Sequence, residues 1–238
     1  MIVCLPLPEK SEEAFFLRRL NRFAAEISLQ GKREIAHVPS SGRMAELLVP
    51  GARVWVKRHK NEGHKTTCRL LLVEHRPILV SVDATLPNRL VARALQAGAI
   101  RPFVQYDRIR PEYSLGHSRF DFMLSGPAGR CLLEVKSVTL VENKVALFPD
   151  APSLRGTKHL EELAALRKDG METAVLFIVQ REDATCFAPH RRQDPAFATA
   201  LAQAAAKGVQ VLAYRCRVTL RAVHLEKPIP VKLNDARP

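Results

Sequence analysis

Before Asp83 the apolar runs along the chain are short and punctuated by turn residues. One extends from Phe15–Leu17 through Ile27–Leu29 to a break at Gln30-Gly31, and another from Glu34 to Val38, where Pro39 stops it. Val54-Trp55-Val56 leads into a polar turn, His59 to Lys65; then come Cys68 to Glu74, a break at Arg76-Pro77, and Ile78 to Val82. Strands at this spacing, with Gly and Pro between them, predict a small antiparallel barrel. Their number fits an OB-type barrel, and SH3-like barrels share that strand count. Trp55 reads as barrel core. From Asn88 to Gly98 the period turns helical, with Leu90, Val91, Ala94 and Leu95 on one face and Gly98 at a C-cap position. We therefore assign residues 1–83 to an OB-like, nucleic-acid-binding barrel, 84–99 to a helical linker and 100–238 to a second domain.

Beyond residue 100 the pattern is mixed α/β. Strands are predicted at Phe120 to Leu124 and Cys131 to Lys136, around the turn Gly126-Pro127-Ala128-Gly129. A helix from Lys158 to Lys168, ended by Gly170, precedes a buried strand from Thr173 to Val179. A second helix, Pro195 to Lys207, stops at Gly208 before a strand from Val209 to Tyr214. Strand-helix-strand-helix-strand implies right-handed crossovers and a sheet that is at least partly parallel.

Charge sharpens this picture. Among 238 residues, 37 Lys and Arg face 24 Asp and Glu, a net charge of +13. Up to Asp83 there are 14 basic and 9 acidic residues, and 23 and 15 after it, so the excess of +5 and +8 is spread over both halves. Such a surface favours polyanions, chiefly nucleic acid. The expected partner is DNA, bound with low sequence specificity; the sequence leaves the oligomeric state open. Beyond Trp55 and Phe15-Phe16 the barrel offers little to stack on bases, which favours backbone contacts or duplex DNA. The five cysteines are scattered and contain no C-x-x-C pair, which argues against a disulfide frame or zinc ribbon. Cys131 and Cys216 read as small buried hydrophobes. Met1 to Leu7 is too short for a signal segment, the apolar run Ala174 to Val179 is too short to span a bilayer, and no basic amphipathic helix suggests a membrane surface. The expectation is a cytoplasmic protein.

The chemistry concentrates on the two strands around Gly126. Leu132, Glu134 and Lys136 share one strand face, because side chains alternate. If Ser125 and Arg130 close the hairpin over a four-residue loop, partners sum to 255 and Asp121 stands opposite Glu134, with Cβ atoms roughly 4.5–5.5 Å apart. Two carboxylates that close repel unless a cation lies between them. Mg²⁺, or Mn²⁺, suits such a pair, because Mg²⁺ takes one or two carboxylates and completes its shell with waters and a phosphate oxygen. Lys136, one step along, would stabilise charge developing at an attacked phosphate. Asp121, Glu134 and Lys136 are thus the candidate catalytic set for phosphodiester hydrolysis, with Asp121 and Glu134 as metal ligands.

Flanking residues are weaker signals. Glu112 is either an accessory acid or a solvated loop residue. Arg155, Lys158 and His159 cluster at a helix start, where dipole and side chains favour a phosphate; with Arg43 and Arg119 they are the candidate nucleic-acid contacts. His159 and Glu162 share a helix face, but no other His or Cys completes a zinc set. His37, just before Pro39, is a candidate ligand contact in a turn.

At these residues a family resemblance emerges. HVPSSGRM (37–44), PNRL (87–90), SRFDFML (118–124), LLEVKSVTL (132–140), FPDAPSLRGTKHLEEL (148–163) and CFAPHR (186–191) resemble the sugar fermentation stimulation protein A family, over about residues 10 to 233. The resemblance implies an N-terminal OB-like β-barrel and a C-terminal PD-(D/E)XK nuclease-like α/β domain, with Asp121 as the first-motif aspartate and Glu134 and Lys136 as its E-x-K. It also implies DNA binding and a role in regulating sugar (maltose) utilisation. The family's usual P-N-T-G-x-M is here Pro39-Ser40-Ser41-Gly42-Arg43-Met44. The Glu it often carries near the position of Arg110 has only a shifted counterpart in Glu112.

Overall fold

The structure, a computed structural model, describes residues 3–59, 66–116, 118–127, 129–168 and 171–233. Most of the expected polar turn (60–65), the loop residue Ala128 and the helix-stopping Gly170 lie outside the described residues.

A first strand, β1 (Val3–Pro6), is followed by β2 (Glu12–Asn21), β3 (Ala24–Leu29), β4 (Lys32–His37), β5 (Arg53–Arg58), β6 (Cys68–His75) and β7 (Ile78–Ser81). Strand β3 shows the governing rule: Ala25, Ile27 and Leu29 are buried while Ala24, Glu26 and Ser28 are half-exposed, the period of two of a sheet with one wet face. The sheet runs β4-β3-β2-β5-β6-β7, and a parallel pairing of β4 with β6 closes five of the strands into a barrel. That closure is OB-like and decides between the two barrel types. Residues 1–83 are not all barrel, however. Strand β1 pairs antiparallel with the last strand of the chain, so its apolar residues complete the other sheet.

Helix α1 (Leu86–Gln96) buries Leu90, Val91, Ala94 and Leu95, and Gly98, at φ +62°, ends it. It starts two residues before the expected Asn88, because Pro87 is compatible with a first helical turn. Far from being a free linker, it packs in one core with β1, Trp55, Leu71, Leu72 and the larger sheet. Trp55 is 7% exposed and lies in this seam outside the barrel core, a correction to its assignment.

The rest comprises β8 (Arg108–Leu115), β9 (Ser118–Gly126), β10 (Gly129–Val138), β11 (Val141–Glu142), β12 (Val145–Phe148), α2 (Leu154–Lys168), β13 (Glu172–Val179), β14 (Cys186–Pro189), α3 (Pro195–Ala206), β15 (Gln210–Val218) and β16 (Ala222–Pro228). The seven-stranded sheet runs β1-β16-β15-β13-β10-β9-β8, with β10, β13 and β15 parallel. Helices α2 and α3 cover one face; α1 and the barrel cover the other. Strands β11, β12 and β14 form a small sheet beside α3. The architecture is an OB-like barrel joined to a PD-(D/E)XK nuclease-like α/β domain.

Helix α2 begins four residues before the expected Lys158, since Ser153 Oγ accepts the Gly156 N–H at 3.1 Å and supplies a cap. Among the described residues no helix is long and apolar enough to cross a membrane. Cys131 and Cys216 are free and buried, as expected of small core residues; burial pushes the Cys131 thiol up to about 12.

A candidate metal centre between the barrel and the sheet

Strands β9 and β10 pair as Arg130↔Ser125, Cys131↔Leu124, Leu132↔Met123 and Leu133↔Phe122, so partners sum to 255 as expected. The pairing also includes Gly129↔Gly126, which leaves a two-residue loop in place of four. Asp121 then departs from simple facing: its Oδ2 accepts the Val135 N–H at 2.7 Å, and its Oδ1 accepts Asn88 Nδ2 of α1 at 2.6 Å. Both carboxylate oxygens are fixed, one by the partner strand and one by the helix that joins the two units.

Glu134 is 4% exposed. Its Oε1 lies 2.6 Å from Lys136 Nζ and 2.6 Å from His159 Nδ1. Its Oε2 is buried with no hydrogen-bond partner among the described residues. Burial pushes the Asp121 carboxyl above its usual range, and the charge of Glu134 adds to this, against the bonds from Val135 and Asn88 and the charge of Lys136. Burial acts the same way on Glu134, but His159 and Lys136 together outweigh it and hold that carboxyl below its usual value. The two carboxyls are thus pushed apart, Glu134 toward its ionised form and Asp121 toward its neutral one.

Both lie on the wall of a cavity of about 440 Å³, which is lined by Lys136 and Asn88, by Arg22 and Ser40–Gly42 from the barrel, and by the segment Phe148–Ser153 with Arg155 and Gly156. The two units are tied across it. Asp150 Oδ2 accepts the Met44 N–H at 3.1 Å. Within the barrel, Arg19 steadies the loop on that side, donating to the carbonyls of Arg43 at 2.9 Å and Ser40 at 3.2 Å, and to that of Arg22.

The donors suit a hard cation. A buried carboxylate oxygen without a partner calls for an explanation, and a cation between Asp121 and Glu134 would answer both that and their repulsion. Among the described residues no group of three or more His, Cys, Asp or Glu is set to hold a metal. Two carboxylates fit Mg²⁺, which keeps most of its waters, better than zinc, which takes four protein ligands in structural sites.

The flanking candidates divide. Arg155 lines the cavity, and Arg43 lines a second one that shares Arg22, Ser41, Gly42, Ala151 and Pro152 with the first. His159, expected to touch nucleic acid, is instead 5% exposed; it supports Glu134, with its ring against Phe120 at 5.9 Å between centroids. Because Glu162 accepts from Ser118 Oγ at 2.7 Å, His159 and Glu162 turn to different partners and form no zinc pair. Lys158 is exposed and paired with Glu162 at 3.7 Å. Glu112 is 74% exposed on its side chain and paired with Arg119 at 3.7 Å. Neither lines the cavity, so Glu112 is no accessory acid in this arrangement. His37 also lies off the cavity, at the end of β4 beside Arg69; burial, with the charges of Arg69 and His59, keeps its pKa low. Two site residues go unassigned in the sequence: Asn88, inside the PNRL stretch, and Asp150, inside FPDAPSL.

With this geometry in place, the chain can be set beside known proteins. A profile described as the SfsA N-terminal OB domain matches residues 17–82, and one described as the sugar fermentation stimulation protein RE domain matches residues 85–222. The chain belongs to the sugar fermentation stimulation protein family. A homologue from Desulforamulus reducens is 49% identical, across 95% of this chain and 94% of its own. One from Moorella thermoacetica is 44% identical, across 95% and 99%. A solved structure described as Pyrococcus furiosus SfsA in complex with Ca²⁺ superposes with a TM-score of 0.89 at 27% identity, covering 98% of this chain and 99% of that one. The match therefore extends through both units and the seam that holds the site.

Proposed function

We propose that the protein binds DNA and hydrolyses its phosphodiester bonds at Asp121, Glu134 and Lys136, with Mg²⁺ or Mn²⁺ as cofactor. The observation that carries this reading is Glu134: buried, one oxygen held by Lys136 and His159 and the other unpartnered among the described residues, on the wall of a cavity with a basic rim. The Pyrococcus furiosus protein is described in complex with Ca²⁺, which adds support for a hard divalent ion in this fold. Asp121 and Glu134 would hold that ion, which supplies Lewis-acid stabilisation of the charge on the phosphate.

The chain's own groups supply the rest. Lys136 is oriented by Glu134 toward the cavity, where its ammonium can stabilise charge building on the phosphate oxygens. Asn88 and the Val135 N–H fix Asp121 before substrate arrives, which avoids reorganisation during the reaction. His159 holds Glu134 ionised, and Arg22 and Arg155 meet the phosphates at the rim. A setting in sugar utilisation, which the family's name suggests, is part of the proposal.

The test is a panel of single-stranded, duplex and branched DNA and RNA with Mg²⁺ or Mn²⁺, using wild type, Glu134→Ala and Lys136→Ala. Cleavage by wild type alone is expected. Binding that weakens steeply with salt but brings no metal-dependent cleavage of any substrate would remove the enzyme and leave a DNA-binding protein.

A further inference from the structure

We infer that the strand reaching the carboxylates is single-stranded DNA, led in over the barrel turn that carries Arg22 and Phe23; this rests on the nucleic-acid reading of the site. Three observations converge on it. The first is continuity: the cavity with Asp121 and Glu134 and the neighbouring one with Arg43 share five lining residues, so a single path leads from the carboxylates along the barrel surface.

The second is enclosure. Barrel loop 40–44 lies against the segment 148–153, with Met44 N–H on Asp150 and Gly42 so close to that carboxylate that a Cβ would stand 2.6 Å from Oδ2. The floor residue Glu134 is almost wholly buried. A flexible strand can bring a phosphate there. A base-paired duplex keeps its phosphates on a stiff cylinder, and enzymes that need one nucleotide in a pocket must extrude it or use a single strand.

The third is the chemistry of the turn. Between β2 and β3, Asn21 Oδ1 accepts the Phe23 N–H at 2.8 Å, and the Phe23 carbonyl accepts the Val38 N–H at 2.8 Å. The backbone is thus pinned, yet Phe23 stays 50% exposed, and the adjacent Arg22 lines both cavities. The first interstrand loop of an OB barrel is a recurrent oligonucleotide contact. An exposed ring beside a cation is the pairing that single strands use, since any base can stack and any phosphate can be neutralised. The sequence alone points to duplex because Trp55 and Phe15-Phe16 are the aromatics its strand pattern brings forward; Trp55 is sealed in the seam and Phe16 is buried, while Phe23 is an exposed ring whose chain neighbour Arg22 lines both cavities.

Binding is measured in EDTA, so that no cleavage intervenes, by fluorescence anisotropy of a labelled strand of about 20 nucleotides, alone or as a blunt duplex. The single strand should bind at least about tenfold more tightly, and Phe23→Ala and Arg22→Ala should each weaken it by about five- to hundredfold. Arg76→Ala removes the same charge from an exposed side chain that lines neither cavity and should leave it unchanged. Circular dichroism of each variant checks folding; Phe23→Leu, which keeps the apolar bulk but not the ring, should also bind poorly. Equal affinity for blunt duplex, unaltered strand binding by Phe23→Ala and Arg22→Ala, or binding of single-stranded RNA but not DNA overturns the inference. The hydrolytic reading fails separately: metal-dependent cleavage of duplex without strand binding keeps it and sinks this one, while strand binding through Arg22 and Phe23 without cleavage does the reverse.

Discussion

Replacing Gly42 by alanine tests how the barrel and the α/β domain are held together over the site. The added Cβ would lie 2.6 Å from Asp150 Oδ2, 3.0 Å from Oδ1 and 3.2 Å from Cγ, too close for the carboxylate to stay. Its Oδ2 is the acceptor for the Met44 N–H, so moving it forfeits a hydrogen bond to a charged group, worth about 1.5–3 kcal/mol. Crowding in a well-packed site costs about 1–3 kcal/mol when nothing gives. Here the obstacle is a side-chain tip that can rotate, so the lost bond dominates and the expected cost is about 2 kcal/mol. Asp150→Ala loses the same bond and removes the obstacle. Adding Gly42→Ala to it should therefore cost little, giving a coupling of more than about 1 kcal/mol in a double-mutant cycle. Urea denaturation of the four proteins reads this directly. An equal cost for Gly42→Ala in both backgrounds refutes the reasoning, because the effect would then lie in the glycine backbone and not in the contact with Asp150.

Asp121→Asn should raise the melting temperature in EDTA, since burial and Glu134 lift the folded pKa of Asp121 and its ionised form therefore weakens the fold above that pKa. The same variant should lose most of the thermal shift that Mg²⁺ or Mn²⁺ gives wild type. For Glu134 the folded pKa is depressed, so its contribution is present above the ordinary value of 4.5 and is lost as pH falls through the folded value. Unfolding followed from about pH 5 downward should accordingly show a shallower acid limb in Glu134→Gln than in wild type. Asn88→Ala removes the donor on Asp121 Oδ1 and should weaken Mn²⁺ binding by about tenfold or more, read by titrating the metal against thermal shift.

Much of this arrangement is legible in the sequence, for local reasons. The Gly126 turn and alternating apolar residues set the register of β9 and β10, so Asp121, Glu134 and Lys136 can be gathered from spacing alone. The strand count finds the barrel, but only the parallel pairing of β4 with β6, a contact between segments far apart in the chain, distinguishes OB-like closure. Strand β1 escapes notice because four residues hold too little pattern; its partner β16 lies at the other end of the chain. His159 resembles a phosphate contact because a helix start with Arg and Lys looks solvated. What decides otherwise is burial against Phe120 and Glu134, which no local pattern records. Asn88 is hidden in the same way, on a helix whose sequence reads as a linker.

That helix explains why the site belongs to neither unit alone. Helix α1 carries Asn88 to Asp121 while its apolar face, with Trp55, Leu71 and Leu72 of the barrel, joins the core of the large sheet. Burying three such side chains is worth about 1.5–3 kcal/mol each, a sum comparable with the roughly 5–15 kcal/mol that stabilises a whole domain. Polar ties add to it: Gln180 Nε2 donates to the Asp83 carbonyl at 3.1 Å and to Ser137 Oγ at 2.9 Å, one residue past Lys136. A seam of that strength makes separation of the two units a costly way to admit substrate. Access to Glu134 is then set by what can pass around the closed contact of loop 40–44 with Asp150, and the inferred route for a chain one strand wide, along the Arg22 side of the cavity, needs no such separation.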